Sequence, residues 1–312
     1  MAVVALPEMT SVDQRLDVMM RLTVLGCRGG VPSEGHPSSS YLTTTPGAHI
    51  LLDCGPGAAT ALGAVLRPRQ LGAVVISHLH LDHCYDLLPI GRLLMALRMR
   101  GDHGVPKEVV DGAGAEADPP IPLYVPEGGR ALLDQLIRVF PIPTLPILER
   151  AFEVAFDTRE YRPNDSFVVG DCEVSLHPLR HAIPNCGIRV ESEAGTLAYT
   201  GDTGMTDGLL PLARDVNVFL AEATRATTDN GAHGHLSATE AGRAAAEAGA
   251  DTLILTHLVS AAPSWVDAQR EAAQSVYGGR VLTAEPGAVF DVRAPENPST
   301  VPGEDPADSI LT

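Results

Sequence analysis

The chain has 312 residues, a hydrophobic share of 45% and a formal net charge of −17, so it can bury the core of one sizeable globular domain. No run approaches the roughly 18 apolar residues of a membrane span, and residues 1–8 lack the basic and apolar regions of a secretory signal, so we expect a cytoplasmic protein. The acidic balance repels polyanions and gives no counterion-release drive, which disfavours a nucleic-acid partner.

Three parts are predicted along the chain. Residues 1–19 are predicted to be an N-terminal extension and residues 20–293 a single folded domain. Residues 294–312 are rich in Pro, Asp and Glu with little to bury, so we expect a disordered acidic tail. Asp53 is a candidate cap for the first helix. The early elements predicted are a strand at 21–26, a hairpin from segments 38–42 and 49–55, and a helix at 59–66.

The most informative stretch follows the apolar run 73–76, which we predict to be a strand. It reads Ser77-His78-Leu79-His80-Leu81-Asp82-His83 and holds four metal-capable side chains. Strand-like alternation would present His78, His80 and Asp82 on one side, with His83 turning in from the neighbouring position. Imidazole and carboxylate ligands at this density suit zinc, manganese or iron, and the carboxylate leaves room for a second metal ion.

The next part of the chain contains two segments whose roles the sequence leaves open. Residues 101–120 are polar, acidic and rich in Gly and Pro, so they are either a lid over the site or a plain surface insertion. Residues 141–165 have no clear pattern, and they could pack over the mouth of the site or mediate a dimer. The regular elements predicted around them are helices at 87–99 and 131–140 and strands at 122–125, 166–169 and 173–176.

Three downstream motifs supply further candidate ligands. His181 lies in the segment 179–187, and Asp202 and His257 each follow an apolar strand. Ligands in open α/β sheets are expected at the carboxyl ends of strands. With the first motif, the inventory is five histidines and two aspartates. That set suffices for two metal ions that share one carboxylate, with positions left for water and substrate.

These motifs, in this order, resemble those of the metallo-β-lactamase superfamily, and the resemblance covers roughly residues 21–292. It implies an α/β fold, a four-layer αββα sandwich in which two mixed β-sheets pack face to face and are flanked by helices. It also implies two divalent metal ions, for which we expect zinc with manganese or iron as alternatives, and a homodimer as one expected state. The implied ligands are His78, His80 and His181 for one ion, Asp82, His83 and His257 for the other, and Asp202 as the bridge.

Within the superfamily, the chain resembles the branch that contains ribonuclease Z and small phosphodiesterases. The segments Glu222-Ala223-Thr224 and His235-Leu236-Ser237 look like that branch's E-A-T and H-x-S/T motifs, whose Glu and His work as a catalytic pair. We therefore expect Asp82, Glu222 and His235 to be catalytic, with His235 as the acid that protonates the leaving alkoxide. As the alternative, His235 only caps the helix predicted at 238–248, which begins with a capping box, and Glu222 pairs with an arginine.

The spacing of the motifs bears on the substrate. Ribonuclease Z enzymes carry a long basic arm between the motifs that correspond to His181 and Asp202, and only about twenty residues separate the two here. We therefore expect a metal-bound hydroxide to attack a small phosphodiester, a cyclic nucleotide such as 3′,5′-cyclic AMP or another cyclic phosphate. Hydrolysis of a carboxyl ester, lactone or thioester is the alternative. tRNA 3′ processing is disfavoured, and so is a non-catalytic partner protein, because every expected ligand is present.

The five cysteines are scattered and form no C-x-x-C pair, so we expect no disulfide framework. We interpret them as small buried apolar residues. A redox or ligand role is the alternative for Cys84 and Cys186, which lie near the ligand motifs in the sequence.

Overall fold

A computed structural model of the chain describes residues 19–98 and 119–293. The expectations of an N-terminal extension at 1–19, a lid at 101–120 and a disordered tail at 294–312 therefore lie, apart from their edges, outside the described residues. None of the helices in the two described ranges combines the length and the apolar character that a membrane crossing requires.

The strands form two mixed sheets of seven strands each. In chain order they are β1 (Met20–Gly26), β2 (Ser40–Thr44), β3 (His49–Leu52), β4 (Ala73–Val75), β5 (Ile121–Pro126), β6 (Phe156–Tyr161), β7 (Ser166–Val169), β8 (Cys172–Leu179), β9 (Asn185–Ser192), β10 (Gly195–Tyr199), β11 (Val218–Glu222), β12 (Thr252–Thr256), β13 (Arg280–Thr283) and β14 (Val289–Val292). The first sheet has the order β14-β1-β2-β3-β4-β5-β6, and the second has the order β13-β12-β11-β10-β9-β8-β7.

Helices cover the outer face of each sheet. They are α1 (Ala58–Val65), α2 (Leu81–Cys84), α3 (Leu87–Arg98), α4 (Gly129–Val139), α5 (Ala151–Val154), α6 (Leu209–Ala213), α7 (Ala238–Ala248) and α8 (Pro263–Gln274), with short 3-10 turns at Pro68–Gln70 and Pro146–Arg150. Side chains of α1, α3, α4 and α5 share a hydrophobic cluster with the first sheet, and those of α6, α7 and α8 share one with the second. The expected αββα sandwich is confirmed.

A third hydrophobic cluster fills the layer between the two sheets. On β3, Ile50 and Leu52 face this layer while Leu51 faces the helices, as the period-two alternation of a strand requires. All three side chains are fully buried. Because both faces of the central strands are covered, their sequences are almost continuous apolar runs rather than alternating ones.

Several predicted elements are confirmed with their bounds nearly unchanged. Helix α7 occupies the predicted residues 238–248, and its capping box forms: Glu240 N donates to Ser237 Oγ, and Ser237 N donates to Glu240 Oε2 at 2.8 Å. Strands β10 and β12 end just before Asp202 and His257, and Glu222 is the last residue of β11. These parallel strands therefore deliver their polar residues to one edge of the sandwich.

The structure assigns a strand to a segment that the sequence left open, and it corrects one expectation. Strand β6 lies within the segment 141–165 that had no clear pattern; it pairs with β5 at the edge of the first sheet, and its charged residues point to solvent. The prediction that Asp53 caps α1 is wrong, because the N–H groups of Gly57 and Ala59 donate to Asp86 Oδ2 at 2.9 and 2.8 Å.

Candidate metal centre

Loops at one edge of the sandwich hold the candidate ligands, and they follow strands of both sheets. The loop after β4 belongs to the first sheet, and the loops after β8, β10 and β12 belong to the second. Together they carry His78, His80, Asp82, His83, His181, Asp202 and His257. The structure brings all of these side chains together in two adjoining clusters.

The alternation predicted for the first motif is wrong beyond His80. Strand β4 ends at Val75, and Leu81–Cys84 forms the single helical turn α2. This turn directs Asp82 and His83 into the second cluster, whereas His78 and His80 belong to the first. One short motif thus supplies both halves of the site.

The first cluster consists of His78, His80, His181 and Asp202, whose ligand atoms all lie within 4.8 Å of one another. Nδ1 of His80 lies 3.1 Å from Nε2 of His78 and 3.1 Å from Nε2 of His181. Three imidazole nitrogens therefore converge on one point, which is an arrangement that a shared cation satisfies.

The second cluster consists of Asp82, His83, Asp202 and His257, all of them buried. Nε2 of His257 lies 3.1 Å from Asp82 Oδ2 and 3.4 Å from Nε2 of His83. The backbone N–H of Gly30 donates to Asp82 Oδ2 at 2.7 Å, which brings the glycine-rich turn after β1 to the wall of the site.

Asp202 lies between the clusters with one oxygen facing each. Its Oδ1 is 3.2 Å from Nε2 of both His83 and His257, and its Oδ2 is 3.7 and 3.8 Å from Nε2 of His78 and His181. Oδ1 is buried and accepts no hydrogen bond from the described residues. A buried carboxylate oxygen without a donor is costly, so this donor set fits a pair of cations bridged by Asp202.

The ring nitrogens that face away from the clusters are held by groups that accept hydrogen bonds. Those of His78, His83, His181 and His257 lie 3.1 Å from Ser77 Oγ, 2.6 Å from Asp53 Oδ2, 3.2 Å from Gly234 O and 2.7 Å from Thr224 Oγ1, respectively. Ser77 Oγ and Thr224 Oγ1 donate their own protons to Asp53 and Glu222, so they accept from the rings. Each Nδ1 thus carries a proton, and Nε2 is the ring atom that faces the centre, where it can serve as a ligand.

Asp53 is a central residue of this site that the sequence interpretation assigned to a different role. It is fully buried, and its Oδ2 accepts from His83 Nδ1 at 2.6 Å, Ser77 Oγ at 2.7 Å and Tyr199 OH at 2.6 Å, while Oδ1 accepts from Ser77 N at 2.7 Å. It follows β3 directly, so the rule that located Asp202 and His257 at strand ends could have found it. Asp53 and His257 adopt φ angles of 55° and 56°, a left-handed conformation that is costly for residues other than glycine.

The two clusters differ in electrostatic character. Burial lowers the pKa of His78, His80 and His181 below the usual imidazole range, which favours the neutral form that binds metals. Burial opposes a charge on His83 as well, but the carboxylates of Asp202 and Asp53 outweigh it and raise its pKa well above the usual value. The second cluster therefore has a negative potential that stabilises a cation.

Glu222 and His235 form a pair beside both clusters. His235 Nδ1 donates to Glu222 Oε1 at 3.0 Å, and the His235 ring stacks on His257 at a centroid distance of 5.8 Å and meets His181 edge-on at 5.2 Å. Glu222 is fully buried, whereas the side chain of His235 is 17% exposed. Burial tends to lower the pKa of His235, and the hydrogen bond and charge of Glu222 outweigh it, so the pKa is raised.

The cysteines take no part in these clusters within the described residues. All five are buried and unpaired. Burial raises the pKa of the Cys84 thiol to about 12 and that of Cys186 to about 11. Both thiols are therefore protonated near neutral pH, which favours the structural interpretation over a redox or ligand role.

Comparisons with known proteins agree with this architecture. The chain matches the family model of the beta-lactamase superfamily domain over residues 48–258. It is 32% identical over 298 residues to uncharacterized protein ML1173 of Mycobacterium leprae, covering 89% of this chain and 91% of the relative. It is 25% identical over 308 residues to ribonuclease Z of Haloarcula marismortui, covering 89% and 98%.

A solved structure shares the fold over almost its whole length. The crystal structure of the metallo-beta-lactamase fold protein YhfI from Bacillus subtilis superposes with a TM-score of 0.70 at 25% identity, covering 87% of this chain and 98% of that chain. The family match, the identity to relatives and the paired seven-stranded sheets agree. The chain belongs to the metallo-β-lactamase superfamily of metal-dependent hydrolases.

Proposed function

We propose that the chain is a phosphodiesterase that uses two divalent metal ions to hydrolyse small phosphodiesters, with 3′,5′-cyclic AMP as the first candidate substrate. The observation that carries this proposal is the Glu222–His235 pair beside the two clusters. Hydrolysis of an unactivated phosphodiester must protonate a strongly basic alkoxide, and an imidazole held by a buried carboxylate can supply that proton.

The same proposal assigns the ligands. His78, His80 and His181 would hold one ion, Asp82, His83 and His257 the other, and Asp202 would bridge them, with zinc favoured over manganese or iron. When bound, such a pair of ions activates water and neutralises charge on the ester oxygens.

Asp82, Glu222 and His235 have separate roles in the proposed reaction. Burial tends to raise the pKa of Asp82, but its contacts with His257 and His83 hold it far below the usual range, so its carboxylate stays ionised. We assign Asp82 the orientation of the attacking water in addition to metal binding. Because Glu222 holds Nδ1 of His235, the proton for the leaving group would come from Nε2.

Two observations support a small substrate. The chain between His181 and Asp202 consists of strands β9 and β10 and a tight turn between them, which leaves no insertion that could grip a large RNA. The net charge of −17 opposes a polyanion, whereas a single phosphodiester responds to the field of the bound cations.

A substrate panel tests the proposal. The purified protein, loaded with zinc or manganese, would be assayed with 3′,5′-cyclic AMP, 2′,3′-cyclic AMP, bis-p-nitrophenyl phosphate, a precursor tRNA, a lactone and a thioester, with Asp82→Ala as the blank. We expect turnover of a cyclic nucleotide that disappears in the blank. Turnover of only the acyl substrates, or of only the precursor tRNA, would refute the proposal.

A second experiment tests whether His235 is the acid that protonates the leaving group. His235→Ala should retain its metal ions and lose at least about a hundredfold in turnover of the cyclic nucleotide. His177→Ala is the matched control, because His177 is half-buried on β8 and contacts Ser175 rather than the clusters. Loss of metal from His235→Ala, or a loss of turnover no larger than in the control, would remove His235 from this role.

A further inference from the structure

The loop that delivers His235 to the site is long and largely exposed. It runs over residues 225–234, between strand β11 and helix α7, and forms neither helix nor strand. At its base, Arg225 N donates to Leu236 O at 2.9 Å. At its tip, Gly231 N donates to Asp229 Oδ1 at 2.7 Å, a contact within the tip itself.

The side chain of Arg180 ties this tip to the rest of the domain. Its Nη1 donates to Gly231 O and its Nη2 to Asp229 O, both at 3.2 Å, while its Nε donates to Met205 O at 3.3 Å. These bonds join the exposed part of the loop to the domain, in addition to the bond that the ring of His181 donates to Gly234 O at 3.2 Å. One guanidinium thus links the loop after β10 to the loop after β11.

The backbone around Arg180 leaves room for this guanidinium. Gly234 adopts a φ of 67°, and a Cβ there would lie 2.8 Å from Arg180 O and 3.1 Å from Arg180 Nη1. A Cβ on Gly204 would collide with Arg180 Nη2. The two glycines therefore permit a close approach that larger residues would block.

The backbone of Arg180 is also connected to His235, the proposed acid, through Gly204, Thr203 and Glu222. Gly204 N donates to Arg180 O at 2.9 Å, and the neighbouring Thr203 N donates to Glu222 Oε1 at 2.6 Å. That oxygen also accepts from His235 Nδ1. The imidazole is consequently held by Glu222 at its ring and, through the loop, by Arg180.

We infer that Arg180 is a positioning residue that fixes the loop carrying His235, so that the acid reaches the leaving group; this inference rests on the proposed function. Arginine suits the task because its planar fork directs several donors at once toward separate carbonyls. A lysine at this position keeps the charge but not the fork. Without the fork, the exposed loop loses its two hydrogen bonds to this side chain, and ordering the loop against the domain costs conformational entropy that these bonds no longer offset.

The test compares Arg180→Lys and Arg180→Met with Arg189→Met. Arg189 is a matched control, because its Nη1 also donates to two backbone carbonyls, Leu212 O at 3.1 Å and Arg214 O at 2.8 Å, which lie at the end of α6 and away from the loop of His235. Turnover would be measured on 3′,5′-cyclic AMP, which needs the acid, and on bis-p-nitrophenyl phosphate, whose leaving group does not.

We expect both Arg180 variants to lose about ten- to a hundredfold in kcat on the cyclic nucleotide and less than about threefold on the activated ester. KM and metal content should stay near the wild-type values, and the Arg189 variant should match the wild type on both substrates. Equal losses on the two substrates, loss of metal, or a loss shared with the control would overturn the inference.

Hydrogen exchange gives a readout that does not depend on the activity. Amide protection at residues 226–235 should fall in both Arg180 variants and not in the Arg189 variant. Unchanged protection would overturn the inference. If exchange rises as expected but the wild type hydrolyses no phosphodiester, then the proposed function fails while the structural role of Arg180 stands.

Discussion

Replacing Asp53 by asparagine tests whether the carboxylate behind His83 orients the metal centre. The amide has the shape of the carboxylate, but one oxygen becomes an NH2 group that donates. In the wild type, His83 Nδ1, Ser77 Oγ and Tyr199 OH all donate to Asp53 Oδ2 at 2.6 to 2.7 Å, and Ser77 N donates to Oδ1. If the remaining oxygen of the asparagine keeps the bond from Ser77 N, the NH2 group takes the place of Oδ2. The two hydroxyl groups can rotate and accept, but the ring N–H of His83 cannot.

The size of the effect follows from that single unpaired N–H. His83 either loses its partner or moves the proton to Nε2, the atom that faces Asp202 Oδ1 at 3.2 Å. A hydrogen bond to a charged group contributes about 1.5–3 kcal/mol, and about 1.4 kcal/mol corresponds to a tenfold change in affinity. We therefore expect Asp53→Asn to weaken metal binding about ten- to a hundredfold.

The assay is a competition titration of the metal-free protein against a chelator of known affinity. Asp86→Asn is the control, because Asp86 is also a buried carboxylate but accepts, among the described residues, only from backbone N–H groups at the start of α1. Its metal affinity should match that of the wild type. If the two variants bind metal equally well, to within about threefold, the reasoning about His83 is refuted.

Three further outcomes are expected. Thr224→Val removes the hydroxyl between Glu222 and His257 and should weaken metal binding by about tenfold, measured by the same titration. Burial lowers the pKa of His235 but Glu222 raises it more, so the acid form persists to higher pH. Turnover of 3′,5′-cyclic AMP should then fall as the pH rises through this raised pKa, and the stability that the Glu222–His235 contact contributes should be lost over the same range. His235→Ala should abolish this fall in turnover at alkaline pH. All five cysteines are buried, and the thiol pKa of Cys27 is raised to about 12, so a thiol reagent near neutral pH should label none before unfolding; rapid labelling of the folded protein would contradict this.

The fold and the grouping of candidate ligands were accessible from the sequence because their signals are local. Asp202 and His257 each follow a short apolar strand, and a polar residue in that position is expected at the functional edge of a sheet. Helix α7 carries a capping box that determines its first residue. Each of these signals spans only a few residues, so no knowledge of distant contacts is needed.

The features that were missed depend on contacts between distant parts of the chain. Asp53 was assigned to the wrong element because a carboxylate before a helix is compatible with a cap, and its true partners, Ser77, His83 and Tyr199, lie up to 146 residues away. Strand β6 was missed because it is an edge strand whose exposed positions carry charges. Strand alternation failed for Asp82 because a helical turn begins between it and His80.

The division of ligands between the two sheets has a consequence for the order of events during synthesis. The loop after β4 emerges first, with His78, His80, Asp82 and His83, yet neither cluster is complete at that stage. Both clusters need Asp202, and the second also needs His257, which belongs to one of the last strands of its sheet. Under the proposed ligand assignment, high-affinity binding of the ions would have to wait until both sheets have docked, so that metal uptake would mark a finished tertiary structure rather than assist an early intermediate.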